Sequence, residues 1–174
     1  MISMRHGSAT VTLPSDTEIL ITRRFGAPAA LVFEAWTTPE LVRRWWGSDE
    51  MPMTLCEIDL RVGGQWRYVV RGRDGEDLGW HGRFHEIDPG HRIVSTECFE
   101  GFPEAETVNV LTLTETDDAT TLEVLVRHSR REYRDGHLES GMEGGMQLTF
   151  DRLDDLVVAA ARTAVRPDEE THHE

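Results

Sequence analysis

The stretch ESGMEGGMQLTFDRLDDLVVAAAR, residues 139–162, decides the fold. Met142, Met146, Phe150, Leu153, Val157 and Ala160 follow one another at steps of three and four, which places them along one face of a helix. The spacing predicts a single long helix from about Glu139 to Arg162 with one apolar stripe. Its longest unbroken apolar run, Leu156 to Ala161, is far too short to cross a bilayer. A lone stripe of this kind has to be buried against another element, and nearly everything before it reads as strand.

Working back towards the N-terminus, a polar loop from His128 to His137 precedes the helix. Seven segments carry strand patterning: Glu18–Phe25, Thr54–Leu60, Gln65–Val70, Leu78–Ile87, Arg92–Phe99, Thr107–Leu113 and Thr121–Arg127. Short connections with turn chemistry separate several of them. Arg73-Asp74-Gly75 and Asp88-Pro89-Gly90 supply residues suited to tight turns, and Val62-Gly63-Gly64 marks a bulge or corner. Regular strands on short turns imply an antiparallel meander. After the first strand, Pro28 opens one short helix, with Leu31, Val32, Ala35 and Trp36 at helical spacing. Thr38-Pro39 opens a second, carrying Leu41, Val42, Trp45 and Trp46. The expected fold is therefore α+β: a seven-stranded antiparallel sheet wrapped around a long C-terminal helix, with two short helices after the first strand. Residues 1–16 read as an N-terminal extension in which Ala9–Leu13 alternate weakly, residues 17–163 as one domain, and residues 164–174 as an acidic disordered tail.

Five segments, ITRRFGAP, LVFEAWTTPELVRRWWG, DLRVGGQWRY, GRFHEIDPGHRIV and GMEGGMQLTFDRLDDLV, resemble in this order the activator of heat-shock protein 90 ATPase homologue family. That family belongs to the START-like (SRPBCC, helix-grip) superfamily. The likeness runs from about Thr10 to Ala161. It implies a seven-stranded sheet gripping the last helix, with a cavity between them for a small apolar molecule of lipid-like or polyketide-like character. Many relatives carry Trp where this chain has Met146; a thioether leaves more adaptable space than an indole. The family name also raises a co-chaperone role. The activators carry a large N-terminal chaperone-binding domain for which 174 residues leave no room, so a chaperone partner is not expected.

Composition narrows the remaining classes. Acidic residues number 32 and basic residues 18, a net charge of −14, which repels phosphate backbones and anionic lipid surfaces. Neither nucleic acid nor membrane is an expected partner. All the basic residues are arginine, which removes Schiff-base chemistry through a lysine amine. Residues 1–16 contain no apolar run of signal-peptide type, so no secretory signal is expected, and Cys56 and Cys98 fit no metal-ligand spacing; buried free thiols in the cytoplasm are the expectation.

The residues expected to line the cavity are Trp66, Tyr68, Trp80 and Phe84 on the sheet, facing Met142, Met146 and Phe150 on the helix. Trp45 and Trp46 stand near its mouth, one of them turned to the core, with the Gly47–Glu50 loop beside them as an entrance. Gly141, Gly144 and Gly145 cost the helix start roughly 1 kcal/mol each relative to alanine. They point to a close backbone approach or a deformable segment that gates the cavity. No metal or other cofactor is expected: His81 and His85 lie about 13 Å apart along one strand, too far to share an ion. No nucleophile or nucleotide motif is present. A cyclase- or hydrolase-type activity in the same cavity would fall to Glu97, His81 or Arg127. The sequence leaves open which sheet face Glu97 and Arg127 occupy, and an internal ion pair or solvent exposure is the simpler expectation for both. Arg61 is expected to cap backbone carbonyls at the Asp59–Gly64 corner. Sheet edges and exposed aromatics also allow a homodimer.

Overall fold

The structure is a computed structural model and describes residues 9–164. The tail expected at 164–174 lies outside the described residues apart from Ala164. Eight strands form one sheet in the order β1-β2-β8-β7-β6-β5-β4-β3, with every neighbouring pair antiparallel. They are β1 (Thr10–Thr12), β2 (Glu18–Phe25), β3 (Met53–Ile58), β4 (Gln65–Arg71), β5 (Asp77–Asp88), β6 (Arg92–Phe99), β7 (Thr107–Thr116) and β8 (Ala119–His128). The eighth strand is β1. Three weakly alternating residues of the expected extension hydrogen-bond along the outer side of β2, so the sheet has one strand more than the seven expected.

Helices α1 (Ala29–Thr37) and α2 (Pro39–Trp45) bridge β2 and β3, and this long connection lets β2 pair with β8 while β3 starts the far edge. Pro28 precedes α1, where its missing N–H costs nothing, and the Glu115 carboxylate accepts from the Ala29 amide at 2.7 Å. The β7–β8 hairpin is tighter than its sequence suggests. Asp117 (φ 54°) and Asp118 (φ 61°) alone make the turn in the left-handed region that short hairpins use.

The C-terminal segment departs most from expectation. The residues expected as a polar loop form a helix, α3 (Arg131–Glu139), and the long helix α4 runs from Met142 to Ala164. Gly141, at φ 81°, separates them; this left-handed residue just after a helix end is where glycine carries no Cβ penalty. The apolar stripe is buried through Phe150, Leu153 and Val157. One turn later it drifts, because Ala161 is half-buried while Ala160 faces solvent.

The core forms where α1, α2 and the Phe150–Val157 stretch of α4 meet the concave face of β2 and β8. Phe150 sits amid the rings of Phe25, Trp36 and Trp45, at 5.8, 6.0 and 6.4 Å between centroids. Buried Arg23 on β2 fastens the sheet to α4 through Asp151 at 2.8 Å. The grip is thus partly ionic and mainly apolar.

Candidate ligand-binding site

Cross-strand register fixes which side chains share the concave face. On the far half of the sheet Cys56 pairs with Tyr68, Tyr68 with Trp80, and Trp80 with Phe99. Because alternate residues of a strand share a face, Trp66, Gly82, Glu97 and Ser95 lie on the same side. The pairs Ser95–Asn109, Glu97–Thr107 and Thr107–His128 carry this face across β7 to β8.

Two aromatic groups divide the expected cavity wall. Trp45 is 2% exposed, donates its indole N–H to the Ala35 carbonyl at 2.9 Å, and stacks with Phe150 and Trp36. Its polar handle is used inside the fold. Trp46, at the end of α2, meets the second group: it lies 5.1 Å from Tyr68 and 4.9 Å from Trp80, both edge to face. Trp66 stands 4.7 Å from Tyr68, and Phe99, absent from the expected set, 5.2 Å from Trp80. Trp46, Tyr68, Trp80, Met142 and Met146 remain half-buried, whereas Trp66, Phe84 and Phe150 are buried. Met142 and Met146 at the start of α4 are therefore less completely buried than Phe150, Leu153 and Val157 further along it.

Below these rings runs a polar band that sequence reasoning caught only at Glu97. Asn109 donates its side-chain N–H to Glu97 at 2.8 Å, and the Thr107 hydroxyl donates to Asn109 at 3.0 Å. Desolvation pushes the Glu97 carboxyl above the usual carboxylate range, and the bond from Asn109 opposes the shift. Glu97 is thus neither in an ion pair nor on the solvent face. Its side chain is enveloped by protein and still keeps accessible surface, as does that of Tyr68. A detectable signal existed in β7, where Thr107 and Asn109 continue inward the face that Leu111 and Leu113 define.

The other two candidates for chemistry point outward. Arg127 is exposed and bonds Glu18 at 3.2 Å. His81 donates from Nδ1 to the Glu100 carboxylate at 2.9 Å, on the outer face. Arg67 grips the same carboxylate with two N–H bonds of 2.8 and 3.1 Å, which with His81 holds Glu100 down at about 2. Two open clefts of about 410 and 510 Å³ flank these outer strands, one lined by Arg67, Gly79 and Glu100, the other by Glu57, Arg61 and Arg83. Neither is the space between sheet and helix. No group of three potential metal ligands occurs among the described residues.

Three local expectations are corrected. Arg61 bonds the Asp59 carboxylate at 2.8 Å, while the corner itself closes by backbone bonds between Phe84 and Gly63-Gly64. Gly144 and Gly145 have no neighbour near a would-be Cβ, so close backbone approach does not explain them. The Gly47–Glu50 loop is tied down: Ser48 and Met51 exchange bonds of 3.0 and 3.1 Å, and Arg152 of α4 donates to the Gly47 carbonyl.

Comparisons with known proteins agree with this architecture. A Rhodobacter sphaeroides protein of known structure shares 28% identity and superposes with a TM-score of 0.81, over 87% of this chain and 99% of its own. Protein Ms6760 from Mycobacterium smegmatis shares 26% identity with a TM-score of 0.77, over 95% and 99%. An Arthrobacter aurescens protein, 23% identical with a TM-score of 0.76 over 94% and 98%, shows the same fold. Among curated proteins, none matches. No helix of the described residues is long and apolar enough to cross a membrane. Residues 26–158 match the family model described as activator of Hsp90 ATPase homolog 1-like protein, and with most of its length inside that match the chain belongs to this family.

Proposed function

We propose that the chain binds a small apolar molecule between the concave face of the sheet and the first half of α4. One observation carries the reading: Trp46, Tyr68 and Trp80 form an edge-to-face cluster that stays half-buried, and Met142 and Met146, half-buried at the start of α4, border the same core. Fully packed aromatics such as Trp45 show what the same fold does when it closes a core. A partly covered aromatic surface with a few inward polar groups is the usual chemistry of a ligand wall. Methionine adapts its shape to varied apolar guests. The binding residues on this reading are Trp46, Trp66, Tyr68, Trp80, Phe84, Met142 and Met146, with Phe99 added; Trp45 and Phe150 support them from behind.

A thermal-shift screen with fatty alcohols, naphthalene and flat polyaromatic phenols tests the reading, followed by native mass spectrometry of any hit. Binding to the folded state alone raises the melting temperature, by about 2.7 kcal/mol of stabilisation at a hundredfold excess over Kd. Trp80→Ala should abolish the shift. A melting temperature unmoved by every probe would overturn the reading.

A further inference from the structure

We propose that the polar head of the bound molecule is a hydrogen-bond donor, an amine or a hydroxyl, received by the carboxyl of Glu97. This rests on the cavity reading above and specifies its ligand.

The geometry is built from four strands. Glu97 is held from one side only: Asn109 donates to Oε2 and is itself oriented by Thr107, so the carboxyl cannot swing freely. Its second oxygen, Oε1, has no hydrogen-bond partner among the described residues, and neither has the Tyr68 hydroxyl. Neither atom is sealed from solvent, so both can take a hydrogen bond from a molecule that enters along this interior face. Both residues keep accessible surface, which gives that molecule room. Phe99, two residues along the same face of β6, joins Glu97 to the Trp80 and Trp46 rings.

The class of head group follows from the acceptor. A carboxyl oxygen with an unused lone pair calls for an N–H or O–H, and the Tyr68 hydroxyl can serve as second donor to a ligand oxygen or as acceptor from a ligand nitrogen. The surrounding rings favour a cation as well, through their negative faces. An anionic head is disfavoured at close range by the ionised form of Glu97, whereas the net charge of −14 acts from a distance and is largely screened in salt. The molecule is therefore an apolar chain or ring system ending in an amine or hydroxyl, and fatty acids are rejected.

Three probes with one decyl tail separate the outcomes: decylamine, decanol and decanoate, titrated against the intact protein by tryptophan fluorescence and calorimetry. Decylamine or decanol should bind at least about tenfold more tightly than decanoate. Glu97→Leu should erase that preference. Glu97→Gln keeps an acceptor oxygen without charge, so it retains decanol and loses decylamine, which tells the two donor classes apart. Decanoate binding as tightly as the other two, or a preference that survives Glu97→Leu, would overturn the inference while leaving the cavity intact. Failure of all three probes to bind would overturn the cavity reading and this one with it.

Discussion

Gly82 shows how a single missing side chain shapes the interior. A Cβ at this position would collide with the Thr96 carbonyl and come within 2.6 Å of the Trp66 indole nitrogen. The glycine therefore lets β6 and the Trp66 ring close over β5, which seats the aromatic wall. Gly82→Ala must push either a backbone carbonyl or a packed indole aside. Overpacking of this kind costs about 1–3 kcal/mol, and the urea midpoint should fall accordingly; an unchanged midpoint would show that the strands yield freely. The sequence places Gly82 among the aromatic residues of its face but gives no hint of the contact, because crowding depends on the neighbouring strand's register. Glu97 poses the same difficulty. Alternation groups it with Ser95 and Phe99, and only the pairing of Phe99 with Trp80 shows that this group faces inward.

At the scale of elements, the break between α3 and α4 was the part least legible in advance. RREYRDGHLE has no apolar stripe, and its glycine and charges read as loop. Tertiary bonds make it a helix: buried Arg134 donates to the Ser15 carbonyl at 2.6 Å, and His137 meets His128 at 3.0 Å. By contrast, the strands and the second half of α4 were readable because burial imposes a period on them. Gly144 and Gly145 lie in open space on the exposed side of α4. Replacing each with alanine should stabilise the protein by up to about 1 kcal/mol, read as a higher melting temperature. The same variants test gating: slower ligand uptake at equal affinity supports a deformable helix start, and unchanged uptake removes it.

Across the whole molecule, acid should loosen the contact between sheet and C-terminal helices first at the histidine pair. Burial lowers His128, against a bond to the Thr17 carbonyl that raises it, and burial together with the neighbouring His128 brings His137 down to about 4. An unfolded histidine titrates near 6.5, so over the interval between these values the unfolded chain binds more protons than the folded one. Stability is then greatest above about pH 6.5 and is lost as the pH falls towards about 4. Denaturant midpoints measured across this range should drop, and His137→Asn should flatten the drop by on the order of 2 kcal/mol. A slope identical in the variant would assign the acid sensitivity to carboxylates elsewhere. The order of strands adds a last consequence. One border of the sheet is β1, only three residues long, and the other is β3, whose pairing slips between Met53 and Leu55. Long, flat borders recruit foreign strands and seed fibrils; short or irregular ones do not. Once folded, this sheet is therefore poorly suited to act as a template for aggregation.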